Sequence, residues 1–145
     1  MLDFTGFHLE ANEGANLTMT AMREAVAEVG VREVHSKMVV LGDHADSPPG
    51  FTSCVLIDES HVTAHCYSDR GWLAIDVFTC GSHSPESIAD TIVSDLLEAC
   101  SSLKLRNRIL VPRFLLDSEG DEESKPELET GADAVTVTST IPGRR

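Results

Sequence analysis

Most of the residues able to carry chemistry in this chain fall in one stretch, from Cys54 to His83. It holds Glu59, Ser60, His61, His65, Cys66, Asp69, Asp76, Cys80 and His83. Three kinds of chemistry suit such a set. The first is a metal centre, because zinc takes Cys and His ligands. On a strand, His61 and His65 share a face but sit roughly 13 Å apart at about 3.3 Å per residue, too far for one ion unless the strand bends. There is no Cys-x-x-Cys pair, so no metal is expected. The second is hydrolysis by Ser60 or Cys80 with a histidine base. The Ser60-His61 neighbours are weak support for it, since adjacent strand residues point to opposite faces. No Gly-x-Ser-x-Gly elbow is present either.

The third is self-cleavage at Ser60. The serine hydroxyl attacks the Glu59 carbonyl and converts the amide to an ester. Elimination then releases the Glu59 carboxylate and leaves dehydroalanine, which water hydrolyses to ammonia and an N-terminal pyruvoyl group. This needs a tight turn, which Asp58-Glu59-Ser60 can supply, and a histidine on the following strand to take the α-proton. A pyruvoyl ketone forms a Schiff base with an amine and accepts the electrons released as CO2 leaves, the logic of pyridoxal phosphate. A nearby thiol can return the proton to carbon. The residue types alone leave all three routes open.

The elements that must position this stretch follow from the pattern on either side. Phe4 to Glu10 alternates loosely and reads as a first strand, and Asn12 to Asn16 as a turn. Thr18 or Thr20 caps a helix running to about Val29, with Met22, Ala25, Val26 and Val29 on one face and Gly30 as its stop. Val31 to Leu41 is a β-branched strand, followed by a polar loop with two prolines from Gly42 to Gly50. Phe51 to Asp58, His61 to Tyr67 and Trp72 to Thr79 read as strands, with Ser68-Asp69-Arg70-Gly71 a turn between the last two. Ser84-Pro85 starts a second helix, whose stripe is Ile88, Ile92, Leu96 and Ala99, widened by Val93 and Leu97. Asn107 to Leu116 reads as the last strand. The order β-α-β-β-β-β-α-β predicts an α/β (α+β) two-layer sandwich, an antiparallel sheet with both amphipathic helices on one face.

With 145 residues the chain holds one real core, expected over residues 1–116. Residues 117–145 begin with a strongly acidic segment that cannot bury enough apolar surface, and are expected to form a disordered tail. The net charge is -13, with 24 acids against 11 Lys plus Arg, which argues against nucleic acid and anionic membrane as partners. No apolar run approaches the roughly 20 residues that span a bilayer. Met1 to Glu10 lacks the basic stretch of a signal peptide. The expected setting is cytoplasmic, and the four cysteines, Cys54, Cys66, Cys80 and Cys100, are read as thiols.

The stretch from Gly50 to Gly81, GFTSCVLIDESHVTAHCYSDRGWLAIDVFTCG, resembles the core of the bacterial-type, pyruvoyl-dependent S-adenosylmethionine decarboxylase proenzymes. The elements that carry the resemblance are Glu59-Ser60-His61, His65 four residues beyond His61, and Asp76-Val77-Phe78-Thr79-Cys80-Gly81. Weaker similarity runs from about Gly6 to Pro112. The resemblance implies a self-processing decarboxylase whose cofactor is a pyruvoyl group made from Ser60. Cleavage at Glu59-Ser60 separates a β chain, 1–59, from an α chain, 60–145. His65 is implied as the proton acceptor of processing and Cys80 as the catalytic proton donor. The implied substrate is S-adenosylmethionine. The product is its decarboxylated form, the aminopropyl donor for spermidine, and the implied assembly is a homodimer with sites near the subunit interface.

Several positions depart from the family pattern. Where Thr-Trp-Pro-Glu usually follows the histidine, this chain has Cys66-Tyr67-Ser68-Asp69. Tyr67 still offers an aromatic face for adenine. Asp69 still offers a carboxylate for ribose hydroxyls, one methylene shorter. A serine that usually supports processing is replaced by Thr52, which keeps the hydroxyl on a stiffer side chain. Asp46 stands about where an aromatic residue is usual. These changes fall on recognition, so decarboxylation of another amino acid, arginine or ornithine, is the alternative, with Asp46 and Asp69 pairing a cationic side chain. An unprocessed, non-catalytic paralogue is the third reading.

Overall fold

In the computed structural model, which describes residues 1–42, 47–58 and 60–113, alternation of buried and exposed residues builds a sheet with one wet and one dry face. The elements run β1 (Leu2–Thr5), α1 (Ala11–Glu28), β2 (Glu33–Leu41), β3 (Gly50–Ile57), β4 (Ser60–Tyr67), β5 (Trp72–Phe78), α2 (Pro85–Ala99) and β6 (Lys104–Arg108). The six strands form a single sheet in the order β2-β3-β4-β5-β1-β6, antiparallel throughout. This is the expected order and class. The described residues form one compact unit, Met1–Arg113, and the expected tail lies outside them.

One face of the sheet is dry. Leu2 and Phe4 of β1, Phe51, Val55 and Ile57 of β3, Val62, Ala64 and Cys66 of β4, and Leu73 and Ile75 of β5 are buried in the same core as both helices. Burying each large side chain contributes roughly 1.5–3 kcal/mol. The α2 start reads as expected: Ser84 caps it through Glu86 N–H to Oγ at 3.1 Å, with proline in the first turn. Its buried stripe is Ile88, Ala89, Ile92 and Leu96, whereas Leu97 and Ala99 are exposed.

The boundaries differ in instructive places. The first strand is Leu2–Thr5 rather than Phe4 to Glu10, because Leu2 and Phe4 pair with Ile75 and Leu73 and the chain then turns to send Phe7 into the core. Residues 12–16 are not a turn but the opening of α1, which starts at Ala11 without a side-chain cap. A Cβ on Gly14 would lie 2.8 Å from the Phe7 ring and 3.2 Å from Phe51. The helix therefore uses a bare backbone to approach these rings, and packing outweighs the poor intrinsic propensity of Gly and Asn. Among the described residues the last strand is Lys104–Arg108 rather than one from Asn107 onward, since its partner β1 is only 4 residues long; residues 114–116 of the expected strand Asn107 to Leu116 lie outside the described residues.

Candidate active site

Ser60 is the first residue of β4 and pairs with Ile57, so the β3–β4 connection consists only of Asp58 and Glu59. Glu59 lies outside the described residues. The Ser60 Oγ is buried and has no hydrogen-bond partner among the described residues. His61 pairs with Phe78 across the β4–β5 ladder, their rings 5.8 Å apart. Cys80, two residues past Phe78, therefore reaches the same end of the sheet as Ser60, where it is exposed. Arg113 stacks its guanidinium 4.1 Å over Phe78 at this end.

Thr52 and His65 are direct cross-strand partners on the sheet face opposite α1 and α2. Thr52 Oγ1 and His65 Nδ1 are 2.8 Å apart in a hydrogen bond whose direction follows the imidazole tautomer. The contact fixes the ring and leaves Nε2 for other work. Tyr67 sits edge-on to His65 at 4.7 Å and to Trp72 at 6.5 Å. These rings border a cleft of about 310 Å³ between β4, β5 and β1, whose rim includes Asp3 and Arg106. Asp69 is exposed in the turn beyond Tyr67.

The chain thus gathers its candidates into two groups, not one. Ser60 and Cys80 share one end of the sheet. Thr52, His65, Tyr67 and Asp69 cluster toward the other. His65 lies five residues from Ser60 along one strand, roughly 16 Å at about 3.3 Å per residue, and the odd separation puts the two side chains on opposite faces. Asp46 of the alternative reading lies outside the described residues.

The remaining thiols differ in environment. Cys66 and Cys100 are buried and Cys54 half-buried. Burial pushes the Cys66 thiol up, the contact with Ser68 pulls it back, and the Asp69 charge raises it further. Burial alone raises Cys54. Among the described residues no group of three or more His, Cys, Asp or Glu is placed to hold a metal ion, and no helix is long and apolar enough to cross a membrane. Trp72 and Arg106 escaped the sequence reading. Trp72 was within reach of it, because a four-residue turn makes Tyr67 and Trp72 direct partners, but Arg106 depends on β6 pairing with β1 far along the chain.

Comparison with known proteins bears on this arrangement. A protein from Parasynechococcus marenigrum called S-adenosylmethionine decarboxylase proenzyme is 31% identical over 85 residues, 59% of this chain and 66% of that one. One of the same name from Bacillus velezensis is 40% identical over 70 residues, 48% of this chain and 52% of that one. The matched part spans about half to two thirds of these curated relatives. A crystal structure of the adenosylmethionine decarboxylase from Aquifex aeolicus aligns with a TM-score of 0.47 at 20% identity, covering 86% of this chain and 92% of that one. The family model described as S-adenosylmethionine decarboxylase matches residues 1–108, and the chain belongs to that family.

Proposed function

We propose that the chain is a proenzyme that cuts itself between Glu59 and Ser60, converts Ser60 into a pyruvoyl group and decarboxylates S-adenosylmethionine on the route to spermidine, in the cytoplasm. The observation that carries this reading is the Ser60 hydroxyl, buried and without a hydrogen-bond partner among the described residues. Leaving such a group unsatisfied costs on the order of 1–3 kcal/mol. That cost has a reason where the oxygen must be free to attack the preceding carbonyl. The same orphaned atom, at a two-residue connection and at the sheet end that holds Cys80, fits the residues to a pyruvoyl group. That group supplies an electron sink for the charge left behind as CO2 departs.

The other residues have roles their positions support. Cys80 Sγ, exposed at the Ser60 end, returns a proton to the substrate carbon. His65, its Nδ1 engaged by Thr52, keeps Nε2 to take the α-proton of residue 60 during cleavage. Tyr67 offers a ring face to adenine and Asp69 a carboxylate to the ribose hydroxyls.

A homodimer completes this reading. His65 is too far along β4 to serve the Ser60 of its own chain. Among the described residues, the sheet face opposite α1 and α2 exposes Val39, Leu56, Tyr67 and Trp72, an apolar surface that calls for a partner. A second copy laid face to face on it brings its own Thr52–His65 pair toward the first copy's Ser60 and Cys80. Intact mass of the native protein tests the cleavage. Two pieces are expected, 1–59 and a pyruvoyl-capped 60–145, and a single unmodified chain overturns the enzyme reading. CO2 release from S-adenosylmethionine, arginine and ornithine in parallel tests the substrate. Release from S-adenosylmethionine is expected, and release from arginine or ornithine alone moves the substrate elsewhere.

A further inference from the structure

We propose that Arg32 is a positioning residue for self-cleavage, clamping Asp58 by side chain and main chain and so holding the turn that presents the Glu59–Ser60 bond. The proposal rests on the processing reading above. Arg32 Nε donates to Asp58 Oδ2 at 2.6 Å and Nη2 donates to Oδ1 at 2.7 Å. The backbone N–H of Asp58 donates to the Arg32 carbonyl at 3.1 Å. One residue thus fixes both the carboxylate and the peptide of the position immediately before Glu59.

Arg32 is itself anchored. Gly30, at φ 82°, turns the chain out of α1. Its N–H donates to Ala27 O at 3.0 Å, and that of Val31 to Val26 O at 3.1 Å. The next residue, Glu33, pairs with Ile57 in the sheet and accepts from Arg23 Nε at 2.8 Å. A helix end and a strand start therefore hold the guanidinium in place, and it in turn holds Asp58.

Global stability gives little reason for this arrangement. The Arg32 and Asp58 side chains are 73% and 46% exposed, and pairs so exposed to solvent contribute little. A bidentate fork does fix orientation. Ile57 and Ser60 are paired in the ladder, so with Asp58 clamped only Glu59 separates the clamp from the nucleophile. Attack needs the Ser60 oxygen within roughly 3–3.5 Å of the Glu59 carbonyl carbon, and restricting the turn favours that approach. As the Oγ–C bond forms and the C–N bond breaks, the hydroxyl proton passes to the freed amine of residue 60. The hydrogen bond from Arg32, more than its charge, holds the Asp58 carboxyl below its ordinary value, so the pair is intact at neutral pH.

The test follows conversion of the full chain into its two pieces by intact mass over time. Arg32→Ala and Asp58→Ala are each expected to slow cleavage about tenfold or more. The double variant should be no slower than the slower single, because one interaction is lost. Arg32→Lys should recover part of the rate, keeping the charge without the fork. Hydroxylamine, which cleaves an accumulated ester, should not speed the slowed variants, since their block precedes the ester. Melting temperatures, read in a Ser60→Ala background so that every chain is whole, should stay within about 2 °C of the parent. Variants that cut at the wild-type rate, or whose slowing tracks a fall in melting temperature, overturn the clamp. A wild-type chain that never cuts brings down the processing reading and the clamp with it.

Discussion

The Ser60 hydroxyl has no partner to lose among the described residues, so Ser60→Ala is expected to leave the fold intact while abolishing cleavage, giving one uncut mass; persistent cleavage would place the scissile bond elsewhere. Cys80→Ala is expected to be cut at least in part yet to lose roughly 10²–10⁴-fold in productive turnover, the usual worth of a positioned proton donor. Undiminished turnover would refute its role. The thiols provide a separate check. A raised pKa means less thiolate at any pH below it, so Cys66 and Cys54 should alkylate more slowly than an ordinary cysteine. Peptide mapping after alkylation at about pH 8 should find exposed Cys80 labelled before half-buried Cys54, with buried Cys66 and Cys100 last. The types and spacing of Ser60, His65 and Cys80 were readable in the sequence because the chemistry depends on them. The orphaned state of the Ser60 oxygen was not, because it depends on what fails to approach it.

At the scale of elements, the N-terminal half of α1 shows where local signals mislead. Asn12, Gly14 and Asn16 read as a turn, yet they open a helix because Phe7 and Phe51 meet it at Gly14. Thr18, which looked like a cap, is fully buried one turn further on, with its Oγ1 unpartnered among the described residues. Thr18→Val is therefore expected to stabilise the fold by about 1 kcal/mol, read as a higher midpoint in denaturant titration; a lower midpoint would mean the hydroxyl has a partner in solution. In β3, a Cβ on Gly50 would lie 1.9 Å from the Cys66 carbonyl oxygen. Gly50→Ala must push β3 from β4 beside Tyr67 and is expected to cost about 1–3 kcal/mol by the same titration. The Glu33 carboxyl is held below its ordinary value chiefly by its hydrogen bond from Arg23. Groups so shifted stabilise the fold above their ordinary pKa of about 4, and that contribution is lost as the pH falls through their lowered values. Thermal melts should therefore decline on acidification, less steeply once Arg23 is replaced by Ala.

At the scale of the molecule, the proposed assembly has a direct test. A site shared between copies allows complementation. His65→Ala chains alone should stay uncut, but mixed with Ser60→Ala chains, which keep their own His65, they should be cut. Failure of mixed chains that do associate would confine each site to one chain. Placing a charge on the sheet face opposite α1 and α2, as in Trp72→Asp, should shift the sedimentation of the protein toward monomer, because the exposed apolar rings there would lose their reason to be covered.

The sequence by itself determined the element order, the antiparallel class and the short list of reactive residues. Alternation, the Ser84-Pro85 start and the two-residue connection at Glu59 are local patterns, and local patterns survive in a linear string. Only the tertiary structure decided that Cys80 joins Ser60 at one end of the sheet while Thr52 joins His65 toward the other. Ladder register sets which residues share a face and an end, and register is a relation between distant segments. The same holds for Arg32 and Asp58, 26 residues apart, whose pairing exists only because β2 and β3 lie side by side.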